Sequence, residues 1–306
     1  MTQAGSATIV ILTFNGEQYL GDILTALDAQ DFSPGFDVLV IDSGSTDRTL
    51  EIVKSHPTVR LHEIPNHEFG HGRTRNLGAS LATGEYVVYL THDAVPVGRN
   101  WLSALLKPMR ADDRVVAVLG KQVARPSAPP ILKYDIDRVF RRLSPGGGTV
   151  VFFDDGTLTD ESRRRATFYS DSCSAARREL LLNEIPYRDV SYAEDQVFGR
   201  EVLAAGHRKA YVPAAVVEHS NDGSLRQFGK RIAADLIGLR RIGTEIAPVS
   251  RIGAVKQWLK WSAMDTGRIV TDREIGLGRK LYWLAVNPVF HAVKWSSYRR
   301  ATLRQL

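Results

Sequence analysis

A single cysteine and three methionines are all the sulfur in this chain of 306 residues. The lone thiol, Cys173, excludes an internal disulfide and a thiolate metal cluster, so nothing calls for an oxidising compartment. Long apolar stretches are missing as well. The best of them, Leu281 to Val286 followed by Pro288 to Val293, is broken at Asn287 and Pro288, short of the roughly 18 apolar residues a spanning helix needs. Met1 to Leu12 lacks a basic segment leading into an apolar one with a small-residue cleavage site, so no signal peptide is expected and the chain is expected in the cytoplasm. Internal repeats and low-complexity tracts are also lacking. What is present is 43% hydrophobic and 24% charged residues, an ordinary globular balance that excludes disorder and a polytopic membrane protein.

The net charge of +6 is unevenly spread. Residues 226–306 hold 16 Lys and Arg against 5 Asp and Glu, a net +11, which leaves −5 for residues 1–225. Trp258, Trp261, Tyr282, Trp283, Trp295 and Tyr298 alternate with these cations. Such a tail fits a helical subdomain with core aromatics, and equally a surface that lies on an anionic membrane without crossing it.

Along the first hundred residues, short β-branched runs alternate with helical spacing. Strands are expected at Thr8–Leu12, Val38–Ile41, Val59–Ile64 and Tyr86–Leu90, with helices at Tyr19–Ala29, Thr46–Lys54 and Gly72–Ala82. Strands apolar on both faces and joined by helices imply a mainly parallel α/β sheet. After a further strand at Val115–Leu119, the segment from Ala124 to Arg165 is rich in Pro, Gly, Arg and Asp and reads as a variable excursion near an acceptor, with a loop at Ser144–Gly148. Order is expected to return at Phe168–Ser174, then in a helix from Arg177, a helix at Glu194–Ala205, and strands at Lys209–Val212 and Val216–His219.

Ligands of such sheets bind beyond the carboxyl ends of the strands. Thr13–Glu17, Asp42–Asp47 and Thr91–Asp93 each follow a strand directly, so three strand ends offer polar groups to one crevice. Asp42 suits the N3–H of a pyrimidine ring, while Ser45 and Asp47 read as well as helix caps. Asp93 is a turn former or a ligand for Mg²⁺ or Mn²⁺, which favour oxygen donors and bridge carboxylates to phosphates. Asp195 is a helix-start carboxylate or a general base, and His219 would complete a mixed oxygen and nitrogen site suited to Mn²⁺. In Phe69–Asn76, two glycines open a helix bearing Arg73 and Arg75, which fits a diphosphate or simply a solvated basic loop.

Taken in order, Thr13-Phe14-Asn15-Gly16-Glu17, Asp42–Asp47, Arg75-Asn76, Asp93, Glu194-Asp195 and His219 resemble glycosyltransferase family 2 over about the first 220 residues. The resemblance implies a GT-A fold, a single nucleotide-binding α/β domain over residues 1–225, with 226–306 as a helical basic extension. It implies an inverting sugar transfer with Asp195 as base, Asp93 and His219 as ligands of Mn²⁺ or Mg²⁺, and Asp42 at the base of the nucleotide. Donor contacts would come from Thr13, Asn15, Glu17, His71, Arg73, Arg75 and Asn76, joined by Lys230 and Arg231; Ser172 and Glu194 would face the acceptor. One departure stands out, since Thr91 occupies the place of the first acid of the family's D-x-D motif.

Phe69–Asn76, Thr91-His92-Asp93-Ala94 and Phe168–Ala175 are similar to the bacterial rhamnosyltransferase branch, which implies dTDP-L-rhamnose as donor and a glycan or polyprenyl-linked acceptor in cell-surface polysaccharide synthesis. The implied setting is the inner face of the cell membrane, with an oligomer left open. Other readings are a family member using a UDP-hexose, a catalytically inert glycan binder, and a nucleic-acid binder using the +11 tail. A nucleotidyltransferase needs a glycine-rich basic loop after the first strand, which Thr13–Glu17 is not.

Overall fold

The computed structural model describes residues 3–220 and 224–304. Its strands are β1 (Gln3–Thr13), β2 (Phe36–Asp42), β3 (Val59–Glu63), β4 (Gly84–Thr91), β5 (Val95–Pro96), β6 (Val115–Val123), β7 (Val150–Phe152), β8 (Cys173–Arg177) and β9 (Arg208–Glu218). They form one sheet in the order β3-β2-β1-β4-β8-β6-β9-β5, with β7 paired to β9. Parallel pairing joins β3, β2, β1 and β4, and again β6 and β9, while β8 runs antiparallel between β4 and β6.

The unbroken apolar runs of the sequence follow from a sheet covered on both sides. In β1, Ile9 and Ile11 join the core with Leu20, Ile23, Leu24 and Leu27, whereas Val10 faces the opposite core with Ala79 and Ile41. Alternation with period two therefore gives no polar positions, because both faces are dry. Each fully buried Ile or Leu contributes about 1.5–3 kcal/mol, so the central strands fix the register.

Two expectations are corrected. Residues 124–165 are not an irregular excursion: they contain the helix Pro130–Leu143, β7 and the helix Asp160–Thr167. Ile136, Phe140 and Leu143 stand at i, i+4 and i+7 and pack into one core, but dense Arg and Asp between them mask the period. Besides the connections 124–129 and 153–159, Ser144–Gly148 is a loop, closed by Ser144 Oγ donating to Gly148 O at 2.6 Å with Gly147 at φ 75°. The two late strands are one, β9, whose register against β6 jumps between Gly120 and Lys121.

The chain divides into two compact units, residues 1–124 with 136–220, and residues 125–135 with 221–306. The first holds the sheet. In the second, the helices Leu225–Arg241, Arg251–Thr271 and Leu277–Leu303 pack together. Phe228 and Phe290 rings meet at 4.1 Å, and Asp265 Oδ2 lies 2.9 Å from His291 Nε2 with both side chains fully buried. Arg279 donates to the carbonyls of Pro126, Ser127 and Ala128. None of the described helices is long and apolar enough to cross a membrane.

Candidate active site

The loops after β1 and β2 are fastened to each other. Asp42 is fully buried; its Oδ1 accepts the hydroxyls of Thr13 (2.8 Å) and Ser45 (2.5 Å), and its Oδ2 accepts the backbone N–H of Gly44 (3.0 Å) and Ser45 (2.8 Å). A carboxylate has about four accepting positions, and all are filled. Asp42 therefore holds the two loops together in this arrangement. Asn15, in the left-handed region at φ 51°, donates its N–H to Ser45 Oγ and accepts from Thr46 N at 2.9 Å. Glu17 accepts from Arg48 N at 3.0 Å. The following helix begins at Thr49 rather than Thr46, and Asp47, before its N-cap Arg48, accepts at Oδ1 from Thr49 N at 3.0 Å.

Within His71–Asn76, the side chain of Arg75 is turned inward while His71 and Arg73 stay exposed. Arg75 is buried, its Nε in an ion pair with Asp171 Oδ2 at 2.9 Å and its Nη1 donating to Glu194 Oε1. Burial disfavours its charge, but the two carboxylates more than compensate and raise its pKa further. Asn76 makes a two-way clamp on the Tyr187 backbone, donating to its O at 2.8 Å and accepting from its N at 2.9 Å. Arg73 is exposed but spent on Asp189 at 3.0 Å. Gly72 is required by close approach, since a Cβ there would lie 2.1 Å from the carbonyl oxygen of Arg188. The motif thus fastens residues 171–194 onto the helix His71–Leu81. His71 lies near this cluster, where burial, with Arg75 beside it, outweighs the pull of Glu194 and lowers its pKa.

That fastening serves the helix Glu194–Ala204, whose N-cap Ala193 has φ 58°. A residue with a Cβ in that region costs on the order of 1–3 kcal/mol and persists only when its surroundings impose it. Glu194 and Asp195 follow immediately. Asp171, Glu194 and Asp195 crowd round one guanidinium, so negative groups outnumber positive ones. Burial first, then the charges of Asp171 and Glu194, push the Asp195 carboxyl up to about 8 against the pull of Arg75. Asp195 is only partly exposed, and its Oδ1 accepts from Gln196 N at 2.7 Å.

At the far strand ends, β5 pairs Val95 with Glu218 of β9, which sets Asp93 beside His219. His219 Nε2 lies 3.3 Å from Asp93 Oδ2, and its Nδ1 lies 3.0 Å from Gln122 Oε1. The Gln122 amide is oriented by its Nε2 donating to Ser170 Oγ at 2.8 Å. The ring thus lies between the Gln122 side-chain carbonyl oxygen and the Asp93 carboxylate. Burial works against ionisation of Asp93, but the hydrogen bond and charge of His219 outweigh it and hold the carboxyl well below its usual range. Nε2 of His219 and Oδ2 of Asp93, 3.3 Å apart, fit neighbouring positions around a divalent ion with ligand bonds of about 2.0–2.1 Å. Among the described residues no group of three or more His, Cys, Asp or Glu could hold a metal, so further ligands would come from substrate or water. Thr91 ends β4, and the adjoining His92 packs under Gly16, whose Cβ would approach it to 3.3 Å.

Ser172 is half-buried in the turn before β8. Lys230 and Arg231 belong to the second unit, on the helix Leu225–Arg241. Sequence reasoning did not single out Gln122, Asp171 or the Tyr187 backbone. Asp171 lay within a recognised segment, but nothing in the local pattern marked it or Gln122, because both matter through partners distant in the chain.

The profile of the family described as Glycosyl transferase family 2 matches residues 8–182, more than half of the chain. The O-antigen chain rhamnosyltransferase WbaN of Salmonella anatum is 30% identical over 230 residues, covering 74% of this chain and 70% of WbaN. RfbN of Salmonella typhimurium, of the same description, is 27% identical over 227 residues, covering 73% and 69%. Among solved structures, the mannosyltransferase PcManGT of Pyrobaculum calidifontis, in complex with GDP-Man and Mn²⁺, superposes with a TM-score of 0.61 at 21% identity, covering 97% of this chain and 86% of that one. The sheet order, the strand-end crevice and the shared fold agree with a GT-A architecture bearing C-terminal helices, and the chain belongs to glycosyl transferase family 2.

Proposed function

We propose that this glycosyltransferase moves a sugar, L-rhamnose from dTDP-L-rhamnose in our reading, onto a hydroxyl of a lipid-linked glycan in cell-surface polysaccharide synthesis, with inversion. The observation that carries the reaction is Asp195, a carboxyl pushed up to about 8 at the strained start of a helix. A base poised near the working pH is efficient at taking a proton from an attacking hydroxyl. In a single displacement, that oxygen bonds to the anomeric carbon as the bond to the diphosphate breaks, the electron pair leaves with the nucleoside diphosphate, and Asp195 keeps the proton. Asp93 and His219 would hold Mn²⁺ or Mg²⁺, which supplies charge neutralisation to the departing diphosphate. Arg75, Asp171 and Asn76 act by holding Glu194 and Asp195 in place rather than by touching phosphate. The descriptions of WbaN and RfbN support the sugar and the setting.

A panel of dTDP-L-rhamnose, UDP-hexoses and GDP-mannose, each with and without Mn²⁺, tests the donor, because a ligand of the native state raises its melting temperature. Selective stabilisation by dTDP-L-rhamnose is expected; selective stabilisation by another donor reassigns the sugar. EDTA should abolish transfer and Mn²⁺ restore it, and NMR of the product should show the inverted anomer.

The division into a transfer domain, residues 1–225, and an appended extension, residues 226–306, is part of this reading. The extension combines its +11 charge with Ile252, Val255, Leu259, Leu277, Leu281 and Tyr282, all at least half exposed. Apolar anchors among cations suit the anionic inner face of a membrane, each Lys or Arg near it adding about 1 kcal/mol. The full chain should pellet with anionic but not neutral vesicles, and release at high salt. Indifference to anionic vesicles would leave the extension as an oligomer or acceptor-closing element.

A further inference from the structure

On the first unit, the helices Pro130–Leu143 and Asp160–Thr167 enclose a groove of about 640 Å³ that no step above uses. Its volume lies within the range of about 300–1,000 Å³ usual for small-ligand sites. Arg142, Arg164 and Arg165 line it, all exposed and without an ion-pair partner among the described residues. Glu161 is the only acid in the lining, so the groove carries a net +2. Val139, Leu143 and Phe168 give it an apolar floor, with Val139 41% exposed. By contrast, Arg73, Arg75, Arg163 and Arg177 of the same unit all have carboxylate partners. Three unpaired guanidiniums round one groove leave a charge that the protein itself does not answer.

The groove is also coupled to the catalytic helix. At Gly199, in the helix Glu194–Ala204, a Cβ would lie 2.5 Å from Thr167 O, so the end of the Asp160–Thr167 helix sits hard against it. The next residue after Phe168, Tyr169, accepts at its carbonyl from the side-chain amide of Gln196, the neighbour of Asp195.

We infer that this groove binds the phosphate or diphosphate of a lipid-carried acceptor, the arginines gripping the phosphate oxygens and the apolar floor taking the first part of the chain. Guanidinium forks match phosphate oxygens two at a time, and an apolar floor has no use for a free inorganic ion. Neutral glycan alone would leave the arginines unanswered. The inference rests on the transfer reading for its purpose, but the binding itself does not need catalysis.

The test uses the full chain and a soluble isoprenyl diphosphate of short chain, with inorganic diphosphate as the comparison. Binding is measured calorimetrically in EDTA, with the donor site saturated by the nucleoside diphosphate that the donor panel selects. The wild type should bind the isoprenyl diphosphate at least tenfold more tightly than inorganic diphosphate. Arg142→Gln/Arg164→Gln/Arg165→Gln should weaken isoprenyl diphosphate binding at least tenfold, while leaving the melting temperature and nucleotide affinity unchanged. Val139→Asp should lose the preference for the chain-bearing ligand. Equal affinity for the two ligands, no measurable binding of either, or a triple variant that binds like the wild type overturns the proposal. Loss of transfer activity with intact isoprenyl diphosphate binding would instead count against the reaction assigned above and leave the groove standing.

Discussion

Asp42 and Asp195 are both carboxylates at the edge of one crevice, yet they end in opposite states. Asp42 meets four donors from its own loops. Asp195 shares one guanidinium's neighbourhood with two other carboxylates and is pushed up to about 8. A carboxylate whose accepting positions are all filled stabilises structure and has nothing left for a substrate. One that is crowded by like charge keeps a proton-accepting capacity near neutral pH. In the proposed mechanism this difference in partners is what separates an anchor from a base.

The strongest way to break the comparison is Asp195→Asn. Turnover should fall roughly 10²–10⁴-fold, the usual worth of a positioned base, with donor affinity nearly intact. The fold should not suffer. Because the Asp195 carboxyl is raised in the folded protein, the folded state binds more protons than the unfolded one between about pH 4 and 8, and stability from this group declines as pH rises through that window. The Asn variant should therefore melt no lower than the wild type at pH 8. Near-normal turnover would make Asp195 another anchor.

Arg75→Ala should cost stability instead, about 3–5 kcal/mol in chemical denaturation, since it strands buried Asp171 and Glu194. A variant of normal stability with weakened diphosphate binding would return Arg75 to the phosphate role. For Asp42→Asn, whose amide would confront the N–H groups of Gly44 and Ser45, a loss of about 1–3 kcal/mol is expected without change in base preference between pyrimidine and purine nucleotides. Loss of that preference at unchanged stability would make Asp42 a reader of the base.

Gln122→Ala should weaken Mn²⁺ binding roughly 10–100-fold by releasing the His219 ring, measured by titration of the apo protein. Unchanged Mn²⁺ affinity would show that the ring is held by other contacts. The gentlest test is the pH profile. The acid limb of kcat/KM should lie near pH 8 and move down in Asp171→Asn, which removes the larger of the two neighbouring negative charges. A limb that stays in place would mean that burial alone sets it.

The sequence alone determined the strands β1 to β4, because residues buried on both faces must be continuously apolar, and that pattern is local. It also marked Asp93, Asp195 and His219, which stand at strand or helix ends in a recognisable order. The helices within 124–165 escaped because Arg and Asp on their exposed faces hide a sparse apolar period. Which polar residue is spent on the protein and which is left for a substrate was decided only by tertiary structure. Arg75 meets Glu194 across 119 positions of chain, and His219 meets Gln122 across 97, so these pairings exist only once the sheet and its flanking helices have closed around them.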